Sequence, residues 1–154
     1  MAPILVAMKT IMAYNLLKGK KGIIFGALND MSIAWKVAEK AHEEGAQFVL
    51  TNTPMALRLG DTHHLAEATN SIIVPADATS IPDLENVFKK TMEHFDGRID
   101  FILHSIGMSP NVRKKIPYDA LNYENYLKTL DISAISFHKV IQTAKKFDAL
   151  NEWG

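Results

Sequence analysis

The sequence predicts an α/β fold built on a doubly wound parallel sheet. Two observations carry this prediction. Short apolar segments alternate with helical patterns, and they cover residues 22–25, 47–51, 71–74 and 100–104. Each segment ends at a glycine or at polar residues, as buried strands do. Such alternation is typical of right-handed crossovers between parallel strands, so we expect a Rossmann-like sheet of order 3-2-1-4, truncated, with the later strands missing.

The first strand leads into the stretch around which the chain is organised. Residues 22–25 form a continuous apolar run, Gly26 opens a polar turn, and a helix is predicted from about Ser32 to Glu44, with Gly45 as its stop. A strand that feeds a helix through a glycine turn places free backbone N–H groups and the positive end of the helix dipole at one point, which favours phosphate. We interpret the turn as nucleotide-binding; an ordinary strand–helix connection is the alternative.

Apolar spacing predicts the other helices. The first helix has Ile33, Val37 and Ala41 on one face. Thr53-Pro54 ends the second strand, and a polar segment then leads into a short helix near residues 65–69. After a loop that contains Pro110 and Pro117, a long helix is predicted over residues 123–147, apolar over more than one face.

A capping pattern marks the helix after the third strand. Ser80, with Asp83 three residues later, is close to a capping box, and the following residues repeat apolar side chains at helical spacing. Asp96-Gly97 is predicted to end this helix. Asp77, just before it, is a candidate ligand contact, with a simple turn-capping role as the alternative.

The four strand ends predict a common ligand site. In a doubly wound sheet, ligands bind beyond the carboxyl ends of the strands at the switch point between the first and fourth strands. That point would be lined by residues 26–32, 51–53, 77–78 and 105–107, all polar or glycine-bearing. Their agreement supports a nucleotide site more than any single motif does.

Composition narrows the class of protein. The chain has 154 residues, of which 47% are hydrophobic, enough for one globular domain with a real core. Its 17 basic and 17 acidic side chains balance, so neither nucleic acid nor a membrane surface is indicated as a partner. The absence of cysteine excludes disulfides, zinc thiolate sites and a cysteine nucleophile, and we expect a cytoplasmic protein.

The N-terminal residues form a segment of different character. Residues 1–13 are apolar, yet they lack a basic region before the apolar run and are too short to span a bilayer. We expect residues 1–16 to be a flexible extension, with Met12 as an alternative initiator, and residues 17–154 to be a partial dinucleotide-binding domain.

Several polar residues are candidates for other roles. Adjacent His63 and His64 do not have the spacing of a metal site, so we expect a solvated segment and no metal. His104 ends a strand, where a packed, hydrogen-bonded histidine is favoured over an acid or base. The basic run 113–115 lies near the predicted site mouth; a solvated charge run and a contact with an acidic protein both remain open.

Three motifs carry a family resemblance. The usual G-x-G-x-x-G fingerprint is absent, and Ser32-Ile33-Ala34 stands where Gly-Ile-Gly would be in short-chain dehydrogenases. The fourth strand ends in the sequence His-Ser-Ile-Gly at 104–107, and the long helix contains Asp-Ile-Ser-Ala-Ile-Ser-Phe at 131–137. Together, in this order, they resemble the bacterial enoyl-[acyl-carrier-protein] reductases, a divergent branch of the short-chain dehydrogenases, over about residues 17–154.

The resemblance implies a reaction and a cofactor site. Members of that family reduce the double bond of enoyl-ACP with a nicotinamide cofactor, and the long helix contributes to their tetramer interface. Carried over by motif, the cofactor-binding residues are Gly26, Ala27, Ser32, Ile33, Thr53, Asp77, Ala78, Ile106 and Gly107. Thr53 stands where the family often has glutamine. NADH is favoured over NADPH, because the nearest cation after the second strand is Arg58.

The catalytic pair of the family is not found. Its tyrosine and lysine lie seven residues apart after a fifth strand, which we expect to begin just past Gly154. Tyr14 has a lysine at this spacing, Lys21, and Lys18 at the shorter one, but all three precede the first strand. We therefore name no catalytic residue and expect the 154 residues alone to be inactive. The alternatives are a non-catalytic nucleotide-binding or oligomerisation module, and another short-chain dehydrogenase such as a ketoacyl reductase.

Overall fold

A parallel sheet of three strands forms the centre of the computed structural model, which describes residues 13–152. The strands are β1 (Lys21–Phe25), β2 (Gln47–Thr51) and β3 (Phe101–His104), and their order is β2-β1-β3. The register pairs Phe25 with Thr51 on one side and with His104 on the other. The carboxyl ends of all three strands therefore lie level at one edge.

Isolated bridges extend this sheet on both sides. Ile73 bridges Leu50 in parallel, so the predicted third strand lies outside β2 but is reduced to a single bridge. The segment at Ile73 is the predicted third strand, and β3 is the predicted fourth strand. The order across the sheet is therefore the predicted 3-2-1-4.

On the other side of the sheet, Leu150 bridges Ile99, and the Ile99 N–H donates to the Ala149 carbonyl at 2.8 Å. We expected a fifth strand only past Gly154, and this single bridge lies on the side of β3 where that strand would pair. Asp148, in the left-handed conformation with φ of 49°, turns the chain toward the sheet just before it.

Helices cover both faces of the sheet. They are α1 (Ile33–Glu43), α2 (Pro54–Leu59), α3 (Thr62–Thr69), α4 (Ile81–Phe95), α5 (Pro110–Arg113), α6 (Tyr123–Leu130) and α7 (Ser136–Lys146), with a 3-10 turn at Tyr118–Ala120 and a π-helical turn at Asp131–Ile135. No helix within residues 13–152 is both long enough and apolar enough to cross a membrane.

Two apolar clusters lie on opposite faces of the sheet, because alternate residues of β1 point to opposite faces. Ile23 and Phe25 pack with residues of α4 and α7, whereas Ile24 packs with α1 and α3. All three side chains are at most 1% exposed. β1 is therefore buried on both faces, as its continuous apolar run predicts.

The buried face of α1 differs from the predicted one. Ala34 and Ala38 are fully buried, and Ala41 is nearly so. Ile33 and Val37, which we expected on the same face as Ala41, are 75% and 37% exposed. Small alanines allow the helix to approach the sheet closely, and this packing outweighs the larger apolar residues on the adjoining face.

Two short helices were not expected. Thr53 caps α2 by accepting a hydrogen bond from the Ala56 N–H at 3.3 Å, and Pro54 follows at the first helical position. Ser109 and Pro110 start α5 in the same way. A capping hydroxyl followed by proline favours a helix start, whereas we had interpreted these prolines as loop signals.

The predicted long helix is continuous but irregular. Its ends lie at Tyr123 and Lys146, close to the expected 123–147. The π-helical turn interrupts it and separates α6 from α7. Such turns are often found at functional sites, and this one faces the segment after β3.

The N-terminal extension is described in part. Residues 1–12 lie outside the described residues, so its predicted flexibility stays a prediction there. The N–H groups of Tyr14 and Leu16 donate to the Glu44 carboxylate, at 3.3 and 3.0 Å. The last residues of the predicted extension thus contact the end of α1.

Candidate functional site

Backbone hydrogen bonds join the four strand ends at one edge of the sheet. The Gly26 N–H donates to the Thr51 carbonyl at 3.0 Å, and the Ser105 N–H donates to the Phe25 carbonyl at 3.2 Å. On the far side of β2, the Ala76 N–H donates to the Asn52 carbonyl at 3.0 Å. The structure therefore brings together the segments at 26–32, 51–53, 77–78 and 105–107 that the sequence singled out.

Gly26 is the residue that sets the shape of this edge. Its φ is +95°, and a Cβ at this position would overlap the Ser105 carbonyl oxygen. Only glycine combines a positive φ with so close an approach to neighbouring backbone. The first segment of the site and the segment after β3 are thereby held in direct contact.

The Ala27 carbonyl is fixed by two side chains from other elements. Asn52 Nδ2 donates to it at 3.0 Å and Thr62 Oγ1 donates at 2.8 Å. Thr62 is 1% exposed and Ala27 is fully buried. The turn is thus anchored to the end of β2 and to the start of α3.

Ser32 shapes the start of α1 without capping it. Its hydroxyl donates to the Asn29 carbonyl at 2.7 Å and accepts from the Leu28 N–H at 3.2 Å, so it closes the preceding turn. It accepts no hydrogen bond from the first turn of α1, which also contains no acidic residue. The first N–H groups of α1 therefore have no side-chain partner among the described residues, and helix ends of this kind favour an anion.

Asp77 is engaged within its own turn. Its Oδ1 accepts from the Thr79 N–H at 2.8 Å and from the Thr79 hydroxyl at 2.7 Å. Asp83 accepts from the Asp77 N–H at 2.9 Å, while Ser80 caps α4 as predicted. Ala78 is 5% exposed. The turn-capping role of Asp77 is thus observed, and its role toward a ligand stays a prediction.

The segment after β3 is open on one side. Ile106 is half-buried and Gly107 is exposed, and a Cβ on Gly107 would meet nothing within 4 Å. The fold itself does not require glycine at this position. A surface without a side chain leaves room for a flat group to lie against the backbone.

His104 lies beside this segment in an apolar setting. Its Nε2 is 2.8 Å from Ser136 Oγ, and its ring packs edge-on against Phe137 with 5.4 Å between ring centroids. Burial lowers the pKa of His104, because removal from water disfavours the imidazolium. His104 is a packed, hydrogen-bonded histidine, the role favoured by its place at a strand end.

Residues that sequence reasoning missed hold the site from the side of the long helix. Lys139 Nζ donates to the Thr79 carbonyl at 3.0 Å and to Asp131 Oδ1 at 2.8 Å. Ser133 Oγ accepts from the Met108 N–H at 3.1 Å. Ser133 and Asp131 belong to the motif at residues 131–137 that contributed to the family resemblance. That motif did not predict these contacts.

The tyrosine and lysine with family spacing lie away from this edge. Lys21 is the first residue of β1, and its Nζ donates to the Phe95 carbonyl at 2.9 Å. Tyr14 is 76% exposed near the end of α1. Both stand at the amino edge of the sheet, opposite the four joined strand ends, as their place in the sequence predicts.

Other candidate residues are exposed. His63 and His64 lie on α3, with their ring centroids 3.9 Å apart and the ring planes tilted by 42°. Among the described residues, no group of three or more potential ligands is arranged to hold a metal ion. The basic residues 113–115 are all exposed at the end of α5.

Comparison with known proteins gives a consistent result. A family model described as Enoyl-(Acyl carrier protein) reductase matches residues 26–154. Enoyl-[acyl-carrier-protein] reductase [NADH] 2 of Rhizobium meliloti is 31% identical over 130 residues, covering 84% of this chain and 48% of the relative. Reductase [NADH] 1 of the same organism is 32% identical over 143 residues, covering 92% and 51%.

Solved structures show the same similarity. A crystal structure of the FabI–NADH complex from Alistipes finegoldii superposes with a TM-score of 0.90 and is 69% identical in sequence. The match covers 92% of this chain and 50% of that one. The chain thus spans about half the length of the relatives it matches, and the matched half contains the four joined strand ends.

Proposed function

The chain belongs to the enoyl-(acyl carrier protein) reductase family, and from this premise we propose that it supplies the NADH-binding half of an enzyme that reduces the trans-2 double bond of enoyl-ACP. One observation carries the proposal. Four strand ends, joined by backbone hydrogen bonds, surround the uncapped start of α1 at a single edge of the sheet. This edge is where doubly wound sheets bind nucleotides.

The pyrophosphate of NADH is assigned to the first turn. Gly26, Ala27, Ser32 and Ile33 would border it and the adjoining ribose at the positive end of α1. The N–H groups of Gly26 and Ser32 already donate to the Thr51 and Asn29 carbonyls, so the N–H contacts would come from the first turn of α1, which begins at Ile33. The hydrogen bonds that anchor the Ala27 carbonyl support this role, because they fix the turn before a ligand arrives.

The two halves of the dinucleotide are assigned to opposite sides of that turn. Thr53, Asp77 and Ala78 would border the adenosine, and Ile106 and Gly107 would border the nicotinamide. The level carboxyl ends of the strands support this arrangement, since β1 lies between β2 and β3. NADH is preferred over NADPH, because the first cation after β2 is Arg58, on α2.

The reaction requires a hydride donor and a proton donor. Bound NADH would supply the hydride for the β-carbon of the enoyl group, and a proton donor would be needed for the α-carbon. Of the described residues, Tyr14 and Lys21 have the family spacing but lie at the amino edge. We therefore assign cofactor binding, and no catalytic residue, to residues 17–154, and treat residues 1–16 as an N-terminal extension.

Titration of the 154-residue chain with NADH, followed by nicotinamide fluorescence, tests the cofactor site. We expect saturable binding of NADH and weaker binding of NADPH. Gly107→Ala should weaken NADH binding while leaving the melting temperature within about 2 °C, because a Cβ there meets nothing within 4 Å. The absence of any fluorescence change at millimolar NADH would overturn the proposal.

A turnover assay separates the two candidate roles of these residues. We expect the 154 residues alone to oxidise NADH at the background rate with an enoyl thioester, although they bind the cofactor. Turnover above background would contradict the assignment of binding without catalysis. The acidic carrier protein is proposed as substrate carrier, and the exposed run 113–115 is a surface of suitable charge for it.

An assembly of several copies is proposed from the long helix. Leu127, Phe137 and Ile141 are 65%, 48% and 40% exposed on α6 and α7. Exposed apolar side chains of this size are available to pack against a second copy, and the resembled family uses this helix in its tetramer. Light scattering should show a tetramer, and Leu127→Glu should shift it to smaller species. A monomeric wild-type chain would favour assembly through other parts of the protein.

A cytoplasmic location fits the cysteine-free composition.

A further inference from the structure

In the π-helical turn, one backbone carbonyl accepts a hydrogen bond from a side chain instead of from a backbone N–H. The backbone N–H of Ser136 donates to the carbonyl of Asp131, five residues earlier. In a regular α-helix it would pair with Ile132, four residues earlier. The Ile132 carbonyl instead accepts from Ser136 Oγ at 2.6 Å. The Ser136 hydroxyl thus replaces a backbone donor at the point where the helix widens.

The π-helical turn and the first residue of α7 contact the segment after β3, one at each end of that segment. Ser136 Oγ is 2.8 Å from Nε2 of His104, the residue just before the segment. Ser133 Oγ accepts from the N–H of Met108, the residue just after it, at 3.1 Å. Residues 105–107 lie between these two contacts. We call Ser133 and Ser136 together the serine clamp.

The direction of the His104 hydrogen bond follows from proton counting. A serine hydroxyl has one proton, and Ser136 donates it to the Ile132 carbonyl. Its oxygen must therefore accept from His104, so Nε2 bears the hydrogen. The ring has little freedom to leave, because it packs against Phe137 and near Phe25. Ser136 itself is fully buried.

We propose that the serine clamp positions residues 105–107 to receive the nicotinamide half of NADH. This inference rests on the proposed function. The clamp touches neither ligand nor reacting atoms, so its residues are positioning residues. A segment with an exposed glycine has many alternative conformations, and fixing its two ends before binding removes part of the entropy cost of binding.

The clamp predicts a selective loss of affinity. Ser133→Ala and Ser136→Ala should each weaken NADH binding by about three- to tenfold, the effect of one hydrogen bond. Binding of ADP-ribose, which lacks nicotinamide, should change by less than about twofold. Thr143→Val is the matched control: Thr143 is a buried hydroxyl that also donates four residues back, to the Lys139 carbonyl at 2.8 Å, but it is not part of the clamp.

The clamp can also be tested without a ligand. Amide resonances of Ile106 and Gly107 should broaden or shift in the serine variants and not in Thr143→Val. His104→Gln, which keeps an N–H near the position of Nε2, should bind NADH more tightly than His104→Leu. If Ser136→Ala fails to fold, Ser133→Ala still tests the proposal, because Ser133 is only half-buried.

The outcomes separate this proposal from the proposed function. If the wild-type chain does not bind NADH, the proposed function is overturned, and so is the proposed role of the serine clamp in NADH binding. Wild-type chain that binds NADH, with serine variants that lose NADH and ADP-ribose equally or lose neither, overturns the clamp alone. Selective loss of NADH with unchanged ADP-ribose affinity supports it.

Discussion

His104 Nε2 and Ser136 Oγ lie 2.8 Å apart, and the half-buried imidazole lies near the rings of Phe25 and Phe137. The pKa of His104 is lowered by burial, so the neutral ring is favoured in the folded chain. A depressed histidine pKa contributes stability above the unfolded value, near 6.5, and that stability is lost as pH falls through the folded pKa.

The pKa of His104 is therefore expected below about 6.5 in an NMR titration of its ring. The free energy of unfolding should decline as pH falls below that value, and this part of the decline should vanish in His104→Gln, which has no titrating ring. A His104 midpoint above 6.5 would contradict the burial argument.

Gly26 is predicted to tolerate no side chain. Gly26→Ala adds a Cβ that overlaps the Ser105 carbonyl oxygen at a φ of +95°, so the two strand ends must move apart. We expect a loss of about 2–4 kcal/mol in the free energy of unfolding and a loss of NADH binding. Chemical denaturation and NADH titration measure the two effects.

Gly19→Ala is the control for this variant. Gly19 also has a positive φ, +76°, but a Cβ there would meet nothing within 4 Å. Its substitution should cost only the backbone strain, about 1 kcal/mol, and should leave NADH binding unchanged. Equal losses in both variants would show that φ alone, and not the contact with Ser105, determines the effect.

The sheet and its ligand edge could be predicted because their signals are local. Each strand is a short apolar run, and each ends in residues such as Gly26 or Asp77 that fit poorly in a strand interior. Parallel order follows from the alternation with helices. The predicted order and the convergence of the four strand ends are both observed.

The errors arose where local patterns compete. Thr53-Pro54 follows the end of a strand and also starts α2. The prediction considered only the first of these two roles. Ile33 and Val37 have helical spacing with Ala41, but so do Ala34 and Ala38, and hydropathy alone favoured the larger side chains. Packing against the sheet decided the buried face of α1, and packing is not visible in a segment of eleven residues.

The side chains that support the site could not be predicted for a different reason. Asn52, Thr62, Lys139 and the serine clamp act through bonds to residues 25 to 60 positions away. The π-helical turn has no periodicity of its own over five residues. Such contacts exist only once the elements are packed together.

Lys139 is predicted to support the adenosine side of the site. Its ammonium joins the Thr79 carbonyl to Asp131, and its side chain is only 24% exposed. Lys139→Met should lower the free energy of unfolding by about 1–2 kcal/mol and weaken binding of both NADH and ADP-ribose. Thermal denaturation and titration with the two ligands test this.

Lys146→Met provides the comparison on the same helix. Lys146 pairs with Glu85 at 2.6 Å, but its side chain is 66% exposed, and exposed pairs contribute little. We expect a change within about 0.5 kcal/mol and unchanged ligand binding. A loss in Lys146→Met as large as that in Lys139→Met would indicate a general effect of charge removal on α7.

Asp100 links three elements at the amino edge of the sheet. Its carboxylate accepts from the Lys21 N–H at 2.8 Å and, at 3.1 Å each, from Lys20 Nζ and Asn151 Nδ2. Burial opposes its ionisation, but these hydrogen bonds outweigh burial, so the pKa of Asp100 is lowered. Because the folded pKa lies below the unfolded value near 3.9, the carboxylate stabilises the fold above that value and ceases to do so as pH falls through the folded pKa.

Asp100→Asn should therefore lower the free energy of unfolding by about 1–2 kcal/mol at pH 7, and this difference from wild type should shrink below about pH 4. Denaturant titrations between pH 3 and pH 7 measure it.

Asp148→Asn is the control, because Asp148 pairs with Arg98 while its side chain is 75% exposed, and asparagine also tolerates the positive φ at this position. Since Asn151 belongs to the segment that pairs beside β3, loss of the Asp100 contact should also raise amide exchange at residues 149–151. A difference that persists unchanged at pH 3 would show that shape, and not charge, accounts for the effect of Asp100.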